Sequence, residues 1–179
     1  MERRLEFRYG RELFVRRILL AGIVGGLLGI LVAVMPSPAT PFVLFTVGVV
    51  AAYVVLFGVS PLFTGHWLTR SRVILRQGWY FRAIVPMSDI VSLGTPDDGF
   101  LGHVPVGIHR PLVRPVLYVT GGRQGLLVLR LRRPRRFWQA FGLMATEIVF
   151  DVDERTRFLD AFEERRRLLS PVEPERADA

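Results

Sequence analysis

Residues 18–65 read ILLAGIVGGLLGILVAVMPSPATPFVLFTVGVVAAYVVLFGVSPLFTG, forty-eight consecutive positions without a charged side chain. Two apolar runs lie inside this stretch, Ile18–Met35 and Phe42–Val59, eighteen residues each, joined by Pro36-Ser37-Pro38-Ala39-Thr40-Pro41. A helix of that length covers about 27 Å, close to the thickness of the bilayer's hydrocarbon core. The helix of a soluble domain rarely runs so far without one charge. The stretch predicts a transmembrane helical hairpin over residues 18–61.

Working outward, the flanks set the orientation. Arg3, Arg4, Arg8, Arg11, Arg16 and Arg17 precede the first run, and His66, Arg70, Arg72 and Arg76 follow the second, while the link carries no charge. Positive flanks stay on the cytoplasmic side, which predicts a multi-pass protein of the cell membrane with both termini cytoplasmic. Ser37-Pro38-Ala39 loosely resembles a signal-peptide cleavage site. The run before it exceeds the usual ~7–15 residues of such a segment, and a second run follows at once, so a retained hairpin is the better reading. Gly22-x-x-x-Gly26 and Gly25-x-x-x-Gly29 overlap in the first run, and Gly48-x-x-x-Ala52 lies in the second. Small residues at this spacing let backbones approach closely, and the expectation is that Gly22, Gly26, Gly29 and Gly48 pack the two helices together rather than dimerise them. Tyr53 is the only ionisable residue in either run, which argues against an ion path or proton relay.

About 100 residues remain for one small domain. The chain has no cysteine, which excludes a disulfide framework, a thiolate metal site and a cysteine nucleophile, and agrees with a cytoplasmic domain. Every one of its 24 basic residues is arginine. The net charge of +8 divides unevenly: +3 over residues 1–17, +8 over 66–150 and −3 over 151–179. A basic block tethered beneath an anionic leaflet has lipid head groups as its nearest anion.

Residues 1–17 mix apolar side chains with arginine and glutamate, and read as a basic cytoplasmic arm, either an interfacial helix or the frayed start of the first span. From His66 the period becomes strand-like. Val73–Arg76 and Trp79–Val85 flank Gln77-Gly78 as a β-hairpin, Met87-Ser88-Asp89 is a turn before Ile90–Leu93, and Gly94–Pro111 reads as an irregular loop. Val113–Thr120 and Gln124–Arg132 flank Gly121-Gly122-Arg123 as a second hairpin, and Thr146–Val152 is a further strand. Asp153–Leu169 places Phe158, Leu159, Phe162, Arg166 and Leu169 at helical spacing, with Asp153 as N-cap. The polar tail 170–179 reads as disordered.

Trp67-Leu68-Thr69-Arg70-Ser71-Arg72, the aliphatic strand into Gln77-Gly78, the later Ile84-Val85-Pro86-Met87-Ser88-Asp89-Ile90, and the closing Phe150-Asp151-Val152-Asp153-Glu154 before Phe158-Leu159 together resemble the bacterial pleckstrin-homology-like family of small membrane proteins. The resemblance covers about residues 62–169. It implies an antiparallel sheet or partly closed barrel capped by the carboxy-terminal helix, on a two-helix membrane anchor. It does not bring a ligand with it, since fold alone does not fix what is bound.

Catalytic chemistry is thinly represented. His103 and His109 lie near Asp97 and Asp98, but at no recognised metal-ligand spacing, and Asp98-Gly99 is an ordinary turn pair. Nucleophile-elbow, P-loop and paired-carboxylate motifs are missing, so neither an enzyme nor a cofactor is expected. The strongest functional segment is Arg130-Leu131-Arg132-Arg133-Pro134-Arg135-Arg136-Phe137-Trp138. Strand alternation puts Arg130 and Arg132 on one face and Leu129 and Leu131 on the other, and beyond Pro134 the alternation stops. Arg130, Arg132, Arg133, Arg135, Arg136 and Trp138 form the candidate anion-facing surface, with Phe137, Trp138 and Phe141 either at a lipid interface or folded into the core. The reading is a non-enzymatic, membrane-anchored interaction or scaffolding module that contacts membrane lipids, a protein partner or another copy of itself. The alternatives are a membrane-associated nucleic-acid-binding protein, disfavoured because the one clear helix is rich in acids, and an accessory subunit of a lipid-modifying or transport complex.

Overall fold

The apolar runs form two helices, α1 (Arg11–Val34) and α2 (Thr40–Tyr53), the second continuing through a π-helical segment, Val54–Val59, and a 3-10 turn, Ser60–Phe63. Both are long and apolar enough to cross a membrane, and almost none of either is buried by the rest of the molecule. The computed structural model describes residues 4–35, 40–96, 104–137 and 142–169. The link 36–39, the tail 170–179, and Asp97, Asp98, His103, Trp138 and Phe141 lie outside the described residues.

The glycines do not pack α1 on α2 as expected. A methyl group built on Gly22, Gly25, Gly26, Gly29 or Gly48 would meet no atom within 4 Å. The cause is the way α1 is seated at its base. Leu13 is buried in the β domain and so sets the rotation of the helix. Gly22, Gly26 and Gly29 follow at angles that place them about 180° round from it.

The described residues hold nine strands in two sheets. The first contains β1 (Leu5–Phe7), β2 (His66–Leu68), β3 (Arg72–Gln77) and β4 (Phe81–Pro86), all antiparallel and in that order. A 3-10 turn, Met87–Asp89, leads to β5 (Ile90–Gly94) in the second sheet, with β6 (Gly107–His109), β7 (Val116–Thr120), β8 (Leu126–Phe137) and β9 (Leu143–Asp151). Its order is β5-β8-β9-β7-β6. The inward side chains of both sheets, including Leu75, Val85, Leu129 and Ile148, share one core. The helix α3 (Arg155–Leu169) closes that core with Phe158 and Phe162, while Leu159 is half-buried. A smaller apolar cluster, with Val104, Val116 and Val149, lies apart from it.

Four sequence expectations are corrected here. The amino-terminal arm runs into the first span as helix only from Arg11; before that it is a strand, Leu5–Phe7, which pairs with His66–Leu68, and Phe7 is buried against Phe158. The β-folded unit therefore draws on residues before the two apolar helices as well as after them. Second, β7 and β8 are not a hairpin, because β9 lies between them and runs parallel to β7. The sheet is mixed rather than antiparallel. Gly121–Gly125 forms a bridge across the end of β9, where Gly125 takes φ +64° and any side chain would collide with the Val152 carbonyl. Third, β8 continues past Pro134 to Phe137, a register shift between Arg130 and Arg135 absorbing the residue that cannot donate to the ladder. Fourth, the irregular loop contains β6. The first hairpin is present with its turn displaced, Gln77 pairing with Phe81 around Gly78-Trp79-Tyr80. Gly78 has φ +64°, the left-handed conformation that the turn needs.

Candidate functional site

Two polar constellations lie at opposite ends of β3. At the Gln77 end, the helices meet the sheets. The Gly78 amide donates to Thr64 Oγ1 (2.8 Å), the Trp79 amide to Ser60 Oγ (3.2 Å), and the Tyr80 ring packs on Phe57. On the α1 side the Arg123 amide donates to Glu12 Oε2 (2.8 Å), and Gly121 donates to Asp151 Oδ1 (2.6 Å). Gly121 and Gly122 are pressed so closely on Tyr9, Glu12 and Leu13 that a Cβ on either would force those side chains aside.

Beneath this contact His66, Gln77 and Asp151 are fully buried. His66 Nδ1 accepts the Arg76 amide (3.3 Å), its ring stacks edge-on to Tyr9, and the Tyr9 hydroxyl donates to the Arg76 carbonyl. Burial pushes the Asp151 carboxyl up to about 7, against the opposing pull of the Gly121, Gly10 and Gly122 backbone groups that favour its charge. Burial also lowers His66 to about 3, so the ring is neutral. A histidine and a carboxylate this enclosed offer no surface to a substrate. Their chemistry is that of a junction that orders the base of α1.

The other end of β3 carries the candidate site. Five strand steps of roughly 3.3 Å put it about 17 Å from Gln77. Here a groove of about 940 Å³ is lined by Arg72 from β3, Arg132 and Arg135 from β8, and Arg166 from α3. Its apolar wall comes from Ile84, Pro86, Met87, Ile90 and Leu169, with Ser71 and Ser88 beside them. Arg135 donates to Asp89 Oδ2 at 2.9 Å, and both side chains are partly exposed, so that pair is a modest contributor that a stronger anion can displace. Among the described residues no carboxylate is paired with Arg72 or Arg132. Arginine forks around an apolar wall suit an anionic ligand that also has something apolar to bury.

The sequence-expected surface is thus only partly gathered. Arg132 and Arg135 line the groove, whereas Arg133 and Arg136 are exposed outside it. Arg130 sits opposite Glu147 on β9 and pairs with it at 3.2 Å. Trp138 lies outside the described residues. Arg72 and Arg166 were missed. The signal for Arg166 was its place on the apolar stripe of α3, in line with Phe158 and Phe162, where a charged residue has no business in a core. Arg72 had no such signal, since it reads as an ordinary strand flank. His109 is exposed, and among the described residues no group of three metal-ligating side chains forms.

Comparison with protein-family models, with curated proteins and with solved structures gives no match for this chain.

Proposed function

We propose that this protein is a membrane-anchored, non-enzymatic interaction module of the pleckstrin-homology-like kind, in which the arginine groove receives an anionic protein partner on the cytoplasmic side. The groove carries the reading: four arginines converge on an apolar wall at the end of the β domain away from α1 and α2. Support for the anchor is the apolar surface of both helices, which the other described residues leave almost wholly uncovered and which water would not tolerate. Phe63 and Trp79 add to it, largely exposed at the base of α2, where interfacial aromatics belong. Remoteness favours a protein over the lipid of the same membrane, because the groove lies about 17 Å along β3 from the end where the helices join the sheets, more than the ~8–10 Å screening length.

The test uses the full chain in nanodiscs of zwitterionic lipid, with a fluorescein-labelled hexaglutamate peptide as the anionic probe. Binding at low salt that weakens as salt rises, and is lost in R72Q/R132Q, is the expected result. Absence of binding at millimolar peptide, or equal binding by the variant, refutes the groove. If replacing a third of the lipid by an anionic one abolishes peptide binding, the arginines face the bilayer and lipid is the occupant.

A further inference from the structure

We infer that the groove has an occupant within this chain: the acidic segment 170–179, which competes with any external ligand. This rests on the groove being an anion site, the reading proposed above. Three observations lead to it. Leu169, the last residue of α3, itself lines the groove, so the segment starts at its rim. The ten residues that follow carry Glu173, Glu175 and Asp178 against Arg176 alone, opposite in sign to the groove's four arginines. Ten residues reach at most roughly 33–36 Å when extended, ample to run the length of the site.

Tethering makes weak complementarity effective. A segment joined directly to the rim experiences a local concentration on the order of millimolar, which an external acidic peptide must exceed or out-bind. The segment is therefore an internal competitor, and a true partner is selected by having more anionic charge than three carboxylates supply.

The absence of native cysteine permits a clean test in the full chain. In S88C/A177C, held in zwitterionic nanodiscs at one chain per disc, oxidation should form an intramolecular disulfide. Adding E173Q/E175Q/D178N, or raising the salt, should slow its formation about tenfold, as expected when a charge-held contact gives way to simple tethering. Separately, the neutralised segment should tighten hexaglutamate binding about tenfold, because the competent fraction of grooves rises. Disulfide formation at the same rate with and without the three acids overturns the inference even if hexaglutamate binds, leaving the groove reading intact. An acid-dependent disulfide in a chain that never binds hexaglutamate, neutralised or not, retains the internal contact and removes the external partner. Acid-dependent disulfides that form only between two chains per disc also overturn it, because the occupant is then a second copy.

Discussion

Phe7→Ala measures whether the residues before α1 belong to the β fold. Phe7 is 2% exposed, its strand pairs with β2, and its ring meets Phe158 edge-to-face at 4.8 Å. Truncating a buried phenylalanine costs about 3–5 kcal/mol, to which an aromatic pair of this geometry contributes about 0.5–1.5 kcal/mol. That is a large share of the ~5–15 kcal/mol holding a typical domain together. At 1.4 kcal/mol per factor of ten, the lower figure predicts about a 150-fold loss of protection in the amides that open only on global unfolding. Hydrogen exchange read by mass spectrometry on the full chain in nanodiscs, at the buried Ile148–Phe150 segment of β9, reports this directly. Were the arm an interfacial segment, the change would stay near the ±0.5 kcal/mol of a surface substitution. A loss of protection below about fivefold, roughly 1 kcal/mol, would refute the placement of β1 in the sheet.

Two further predictions concern the junction and the topology. Asp151 sits higher folded (about 7) than unfolded (3.8), so its contribution is fully present below pH 3.8 and lost as pH rises through 7. His66 sits lower folded (about 3) than unfolded (6.5), so its contribution is present above pH 6.5 and lost as pH falls towards 3. The two slopes oppose each other between about pH 4 and 6.5, and Asp151→Asn should unmask the histidine slope there, stability rising with pH. A variant whose melting temperature keeps the wild-type pH profile would contradict the burial of both groups. For topology, reporter fusions at residue 38 and after residue 179 should report opposite compartments, the first outside and the second cytoplasmic. Finding the carboxy terminus outside would overturn the cytoplasmic placement of the groove.

What the sequence determined by itself is whatever depends on neighbours in the chain. Length and apolarity alone specify α1 and α2, since a helix satisfies its own backbone whatever surrounds it. The β3–β4 hairpin, the turn at Met87–Asp89 and the capping of the core by Phe158 and Phe162 were legible for the same reason, as each rests on local period or turn chemistry. Strand partnership is different, because alternation says which face is buried and nothing about which strand lies alongside. Hence Gly121–Gly125 reads as a hairpin turn until β9 is seen beneath it, and Leu5–Phe7 is too short to register as a strand without β2 to pair with. The glycine stripes on α1 similarly depend on how Leu13 seats the helix, a contact made with the domain and not along the helix. The groove belongs wholly to the tertiary structure. Arg72, Arg132, Arg135 and Arg166 stand up to ninety-four positions apart, on two sheets and a helix. Charge is visible in a sequence, but convergence is a property of the packing that brings those three elements to one end of the fold.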